Sequence, residues 1–214
     1  MTLDFDAWLD FMFGRPARSE FYPFFDEREE VWDPAPAVAV DYLTRLFETP
    51  VPLLRDYSDR QIGGGLWLLA SEESHALYSR EVPVEARERC VGAIYPLFAD
   101  LFEPRCAPAL GHLDEPGAGA LNATCYMWWE NLPFVAASDD PDKDRLDARV
   151  IDVLEKVLGL ANPACQESAL HGLGHLVRHV RQPVDPLFAG YLERSDIRPE
   201  LAAYARAARS GCIL

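Results

Sequence analysis

Lysine is nearly missing from this chain: Lys143 and Lys156 stand alone beside eighteen arginines in 214 residues. Asp and Glu number 35, leaving a formal net charge of −15. Binding to nucleic acid phosphates or to an anionic membrane face needs clustered Lys and Arg, so neither partner is expected. A basic protein or a cationic ligand is the better electrostatic match. No window approaches the ~18–20 uncharged apolar residues of a membrane span, and the acidic opening Met-Thr-Leu-Asp-Phe-Asp lacks the basic and apolar regions of a signal peptide. The five cysteines, Cys90, Cys106, Cys125, Cys165 and Cys212, are widely spaced and form no CxxC pair. Disulfide frameworks and zinc knuckles use paired or close spacings, so the expectation is reduced, mostly buried thiols in a cytoplasmic protein. Also absent are a G-x-S-x-G elbow, an H-E-x-x-H motif and a Lys-Ser/Thr after Gly63-Gly64-Gly65, which excludes a P-loop.

What is present is helical punctuation without a convincing alternating strand, and the chain reads as all-α with no β-sheet. Hydrophobic residues make up 49% and aromatics 11%, enough to bury the core of one domain spanning residues 1–214. Residues 1–32 read as an aromatic helix ending at Gly14, then an arm carrying Phe21, Tyr22, Phe24 and Phe25. The body occupies 33–214. Asp33-Pro34, Asp140-Pro141, Asn162-Pro163, Asp185-Pro186 and Pro199 each read as a helix start. Ser58-Asp-Arg-Gln61 is a capping box, and Pro96 should bend the long pattern from Pro83 to Phe102. Residues 105–119 read as a long connection, followed by a helix with Asn122 at its cap. That helix, through Cys125-Tyr-Met-Trp-Trp-Glu130, is apolar nearly all round and belongs in the centre. Three glycines in one helix cost on the order of 1 kcal/mol each; close approach of another helix is the offsetting gain expected.

Two helices share a pattern, Ile62-x-x-Gly65-Leu66-x-x-Leu69 and Ala169-x-x-Gly172-Leu173-x-x-Leu176, 107 positions apart. Each follows an amphipathic helix, giving units of roughly 40 residues. The run E-S-A-L-H-G-L-G-H-L resembles the second helix of bacterial HEAT-like (armadillo-type) α-helical repeat proteins. The resemblance implies an irregular α-solenoid or multi-helical bundle of about four helix pairs. It carries over no activity: the deoxyhypusine hydroxylases, HEAT-like enzymes that bind two irons through His-Glu dipeptides, are not matched, because this chain has no such dipeptide.

Three of the five histidines fall between Asn162 and Arg181. Glu167, His171 and His175 recur every four residues and share a helix face, so they are the candidate ligands for a divalent transition metal such as zinc. A third or fourth ligand would have to come from His75, His112 or a carboxylate such as Glu130. The opposing expectation is that the histidines are hydrogen-bonded core residues, with His179 exposed. With no complete catalytic motif, no residue is assigned a catalytic role. The first functional expectation is a protein-binding module that holds a basic partner, as an immunity or inhibitor protein does, with no cofactor; the alternative is a metal-dependent enzyme using Glu167, His171 and His175.

Overall fold

A computed structural model describes residues 3–14, 32–71, 73–131 and 140–213. The arm residues Phe21, Tyr22, Phe24 and Phe25 and the start of the acidic turn at Ser138 lie outside them. The described chain is all-helical, without a strand. In order it forms α1 (Phe5–Phe13), α2 (Pro36–Glu48), α3 (Pro50–Leu54), α4 (Asp59–Ser71), a 3-10 segment (Glu73–Tyr78), α5 (Val84–Pro96) and a π-helical stretch (Leu97–Phe102). There follow α6 (Glu103–Arg105), a 3-10 turn (Gly111–Leu113), α7 (Asn122–Asn131), α8 (Lys143–Leu158), α9 (Pro163–Leu176), α10 (Arg181–Leu192) and α11 (Pro199–Arg209).

The packing sorts these helices into two rows. One row runs α2, α5, α8, α10, and the other runs α1, α4, α7, α9, α11, each helix touching its neighbours in the row. Within the second row α7, α9 and α11 are parallel, with His171 meeting Tyr204 and Gly174 meeting Ala208 between the last two. Cys125 meets Ala164 and Ser168 near the starts of α7 and α9, and Glu130 meets His171 and His175 near their ends. Helix α8 runs antiparallel to α9, and α9 is enclosed by α7, α8, α10 and α11. Every residue of α9 from Ala164 to Gly174 is therefore buried.

Glycine sets the spacing of the second row. A Cβ on Gly65 would run into the ring of Phe13 in α1, and one on Gly172 would lie 2.7 Å from Trp129 Cγ in α7. The two glycines aligned by the sequence pattern thus make the same contact, each admitting the preceding helix of the row. The centre holds Trp128 and Trp129 of α7 among Phe47, Phe98 and Phe102, with ring centroids 5.6–6.5 Å apart.

Several local expectations hold. Ser58 and Gln61 make the reciprocal capping-box bonds, Asn162 caps α9 through Ala164 N, and α11 starts at Pro199. At Pro96 the missing N–H breaks the α ladder, and the winding changes to π from Leu97 onward. Four expectations shift. Helix α2 begins at Pro36, not Pro34, because Ala35 precedes a proline and is held extended (ψ 140). Helix α8 begins at Lys143 and not at Pro141; Asp140 still accepts from the Asp142 amide through Oδ1, while its Oδ2 turns inward onto Arg87. Helix α10 starts at Arg181, ahead of the expected start at Asp185-Pro186, so Pro186 lies inside it; it stays separate from α9, which stops at Leu176, since a continuous helix would drive the Pro183 ring against the His179 carbonyl. Asn122 does not cap α7: its carbonyl accepts from Ala107 and Gly119, and its amide donates to Ala107 and Ala109 carbonyls, tying the 106–119 connection down.

Candidate metal centre

The site lies across three parallel helices, α7, α9 and α11, at the C-terminal ends of α7 and α9. His171 and His175 are successive turns of one face of α9. Their rings meet edge to face at 4.8 Å, with Nε2 to Nε2 at 3.1 Å. Glu130, one residue from the end of α7, brings Oε2 to 3.3 Å from His171 Nε2 and 4.0 Å from His175 Nε2. Among the described residues this is the one group of three potential ligands close enough to share an ion. A tetrahedral site with metal–N and metal–O bonds near 2.0–2.2 Å has ligand atoms roughly 3.3 Å apart, so the 3.1 and 3.3 Å separations suit one centre, and the 4.0 Å separation of the two exposed side chains closes by a small rotation of either. Two helix C-termini converge here as well, and the negative end of a helix dipole favours a cation.

The inner side is closed and the outer side open. His171 is buried, whereas the side chains of His175 and Glu130 are 35% and 48% exposed. Behind His171, its Nδ1 lies 2.7 Å from the Tyr204 hydroxyl of α11, and the Tyr126 ring of α7 packs edge-on against its imidazole. The two tyrosine hydroxyls are 3.2 Å apart. Gly172, between the two histidines, occupies the place that a glutamate base holds in H-E-x-x-H. With Trp129 and Leu154 within 2.8 Å of its missing Cβ, no side chain fits there.

Glu167, the third residue of the sequence stripe, faces elsewhere. Its buried carboxylate accepts the backbone N–H groups of Gly111 (2.8 Å) and His112 (2.9 Å) and pairs with His112 Nδ1. The His112 ring in turn stacks on Tyr204 at 4.3 Å. His75 and His179 are exposed, the first in the 3-10 segment and the second in the turn after α9. The structure thus brings His171 and His175 together with Glu130, and Glu167 together with His112, on the two sides of Tyr204.

Burial, then the charge of His175, pushes the His171 imidazole down to about 4, against the pull of Glu130. Burial also lowers His175; Glu130 opposes it, while Arg178 and His179 add to it. Tyr204 is raised by burial, then by Tyr126 and the carboxylates of Glu167 and Glu130. Near neutral pH both rings are uncharged and the hydroxyl keeps its proton. Each imidazole then offers a lone pair.

Sequence alone offers Glu130 only as an example of a carboxylate ligand, because nothing local ties it to a helix 41 residues away. The apolar, central character of α7 was the available signal, since a charged residue ending such a helix abuts the core. Tyr204 and Tyr126 carried no signal of their own. The chain matches no protein-family model, no curated protein and no solved structure.

Proposed function

We propose that the protein binds one divalent transition metal ion through Glu130, His171 and His175, and that it is a metal-dependent enzyme acting on water or substrate at the exposed side of the site. The observation that carries this reading is the 3.1, 3.3 and 4.0 Å spacing of three ligand atoms from two separate helices. A His2Glu set with an open fourth position is a zinc set of the catalytic kind, and the two-His-one-carboxylate composition also suits iron(II). A metal held there by Glu130, His171 and His175 would lower the pKa of bound water toward 7.

The test is elemental analysis and zinc titration of protein purified without an affinity tag. About one metal per chain is expected, with His171→Ala and His175→Ala removing it and raising no competing site. Substoichiometric metal, together with a melting temperature indifferent to chelator, would refute the reading.

The charge of −15 supports a second reading, capture of a basic protein by a HEAT-like stack. Helices α8/α9 and α10/α11 pack as pairs, and successive helices within each row lie side by side, as units of such a stack would. Association with a cationic nuclease-type protein should slow steeply between low and physiological salt. Salt-independent association, or none, counts against it.

A further inference from the structure

We infer that Tyr204 is the positioning residue of this metal site, and that Glu167 and His112 act through it instead of binding the ion. This deepens the metal reading and rests on it. An imidazole that gives Nε2 to a metal must carry its proton on Nδ1, and metal-binding histidines almost always donate that second N–H to a partner. His171 is buried, so water cannot serve. The Tyr204 oxygen, 2.7 Å from Nδ1, is the acceptor the site supplies. Once it accepts, the tyrosine hydroxyl proton turns away from His171, and the Tyr126 oxygen at 3.2 Å receives it. No proton is gained or lost: the imidazole and each phenol keep one throughout.

The position of Tyr204 is fixed from its other side. Its ring lies flat on His112 (25° between planes), and His112 is held at backbone and ring by the same Glu167 carboxylate. The loop bearing His112 is closed by Glu115, which accepts from Leu110 N and pairs with Arg198, the residue preceding α11. A connection from the far side of α7 thereby clamps the helix that carries Tyr204. The Glu167, His171, His175 stripe of the sequence divides its labour: two residues face the ion and one holds the residue behind them.

The full-length protein is titrated with zinc alone, and with cobalt(II) as a spectroscopic probe, as wild type and as Tyr204→Phe, Tyr126→Phe and His112→Ala. Tyr204→Phe is expected to fold as wild type by circular dichroism, still bind one zinc, and bind it on the order of 10–100-fold more weakly. In the zinc-loaded wild type the protonated Nδ1 resonance of His171 should be sharp in 15N-resolved spectra, and in Tyr204→Phe exchange-broadened. Tyr126→Phe keeps the Tyr204 oxygen and should stay within about 3-fold of wild type, while His112→Ala should fall between the two. If wild type binds no zinc, the metal reading itself fails. If wild type binds and Tyr204→Phe matches it in affinity and in the Nδ1 signal, the metal reading stands and the role of Tyr204 is overturned.

Discussion

Two Gly→Ala substitutions inside helices should change stability in opposite directions. Alanine is favoured over glycine in a helix interior by about 0.5–1 kcal/mol, through the entropy of the unfolded chain and the helix propensity itself. At Gly190 in α10 a Cβ meets nothing within 4 Å, so that gain is realised in full. At Gly172 the same Cβ would lie 2.7 Å from Trp129 Cγ, 2.8 Å from Leu154 Cδ2 and 3.0 Å from Trp129 Cβ. Neither neighbour can yield: Trp129 is stacked on Phe98 at 5.6 Å, and Leu154 is wholly buried. Overpacking costs about 1–3 kcal/mol, and with both neighbours fixed the upper half of that range applies, which after subtracting the propensity gain leaves a net loss of roughly 1–2 kcal/mol. For a chain of this length 1 kcal/mol moves the melting temperature by about 2–4 °C. Calorimetry or urea unfolding in the presence of chelator should find Gly172→Ala roughly 2–8 °C lower and Gly190→Ala roughly 1–4 °C higher than wild type. A Gly172→Ala protein as stable as wild type would refute the packing of α7 on α9.

Arg87→Met should be the most damaging single change in the first row. It strands Asp140, a carboxylate whose side chain is 2% exposed and whose partner guanidinium sits at 2.7 Å, and breaking such a buried pair costs about 3–5 kcal/mol. Burial pushes the Asp140 carboxyl up, but the Asp142 amide and Arg87 outweigh it and the net direction is down. Its stabilisation is therefore present above the unfolded carboxylate range, about pH 4, and is lost as pH falls below it; Asp140→Asn should flatten stability against pH there. A thiol reagent should modify one cysteine quickly, Cys212, because the other four are buried and Cys90 is pushed up to about 12 by burial. Cys212→Ser should abolish that fast phase, and a fast phase that survives would contradict the placement of Cys90, Cys106, Cys125 and Cys165.

Much of the helical layout was legible because its signals are local. Capping side chains, prolines at helix starts and the apolar period act over four residues, and Asn162, Ser58 and Pro199 behave as their chemistry dictates. The starts that moved did so for reasons that are local in one case and long-range in another. Ala35 is excluded from the helix by its own following proline, whereas Asp140 is drawn inward by an arginine 53 residues earlier. The site was half legible on the same grounds. His171 and His175 are neighbours by helical period alone. Glu167 shares that period, but four residues correspond to about 400° of turn, so each step rotates the stripe by about 40°. Across two steps that rotation carries Glu167 off the face of His175 and toward the loop at Gly111. Only the packing of the second row could show which carboxylate replaces it.

That replacement ties the glycine pattern to the chemistry. Gly172 follows His171, Trp129 precedes Glu130, and the contact between Gly172 and Trp129 sets how near α7 lies to α9 beside the ligands. Gly65 makes the matching contact two interfaces away, against Phe13, with no ligand beside it. Both Gly→Ala changes should destabilise the fold, but only Gly172→Ala should also weaken metal binding, because pushing α7 outward lengthens the 3.3 Å separation of Glu130 from His171. A ligand displaced by even 0.5 Å leaves the range that metal–ligand bonds tolerate. Zinc affinity in Gly172→Ala should thus drop by at least about 10-fold while Gly65→Ala stays near wild type. Equal losses in the two variants would mean that global loosening of the fold, and not the local approach of two helices, governs the site.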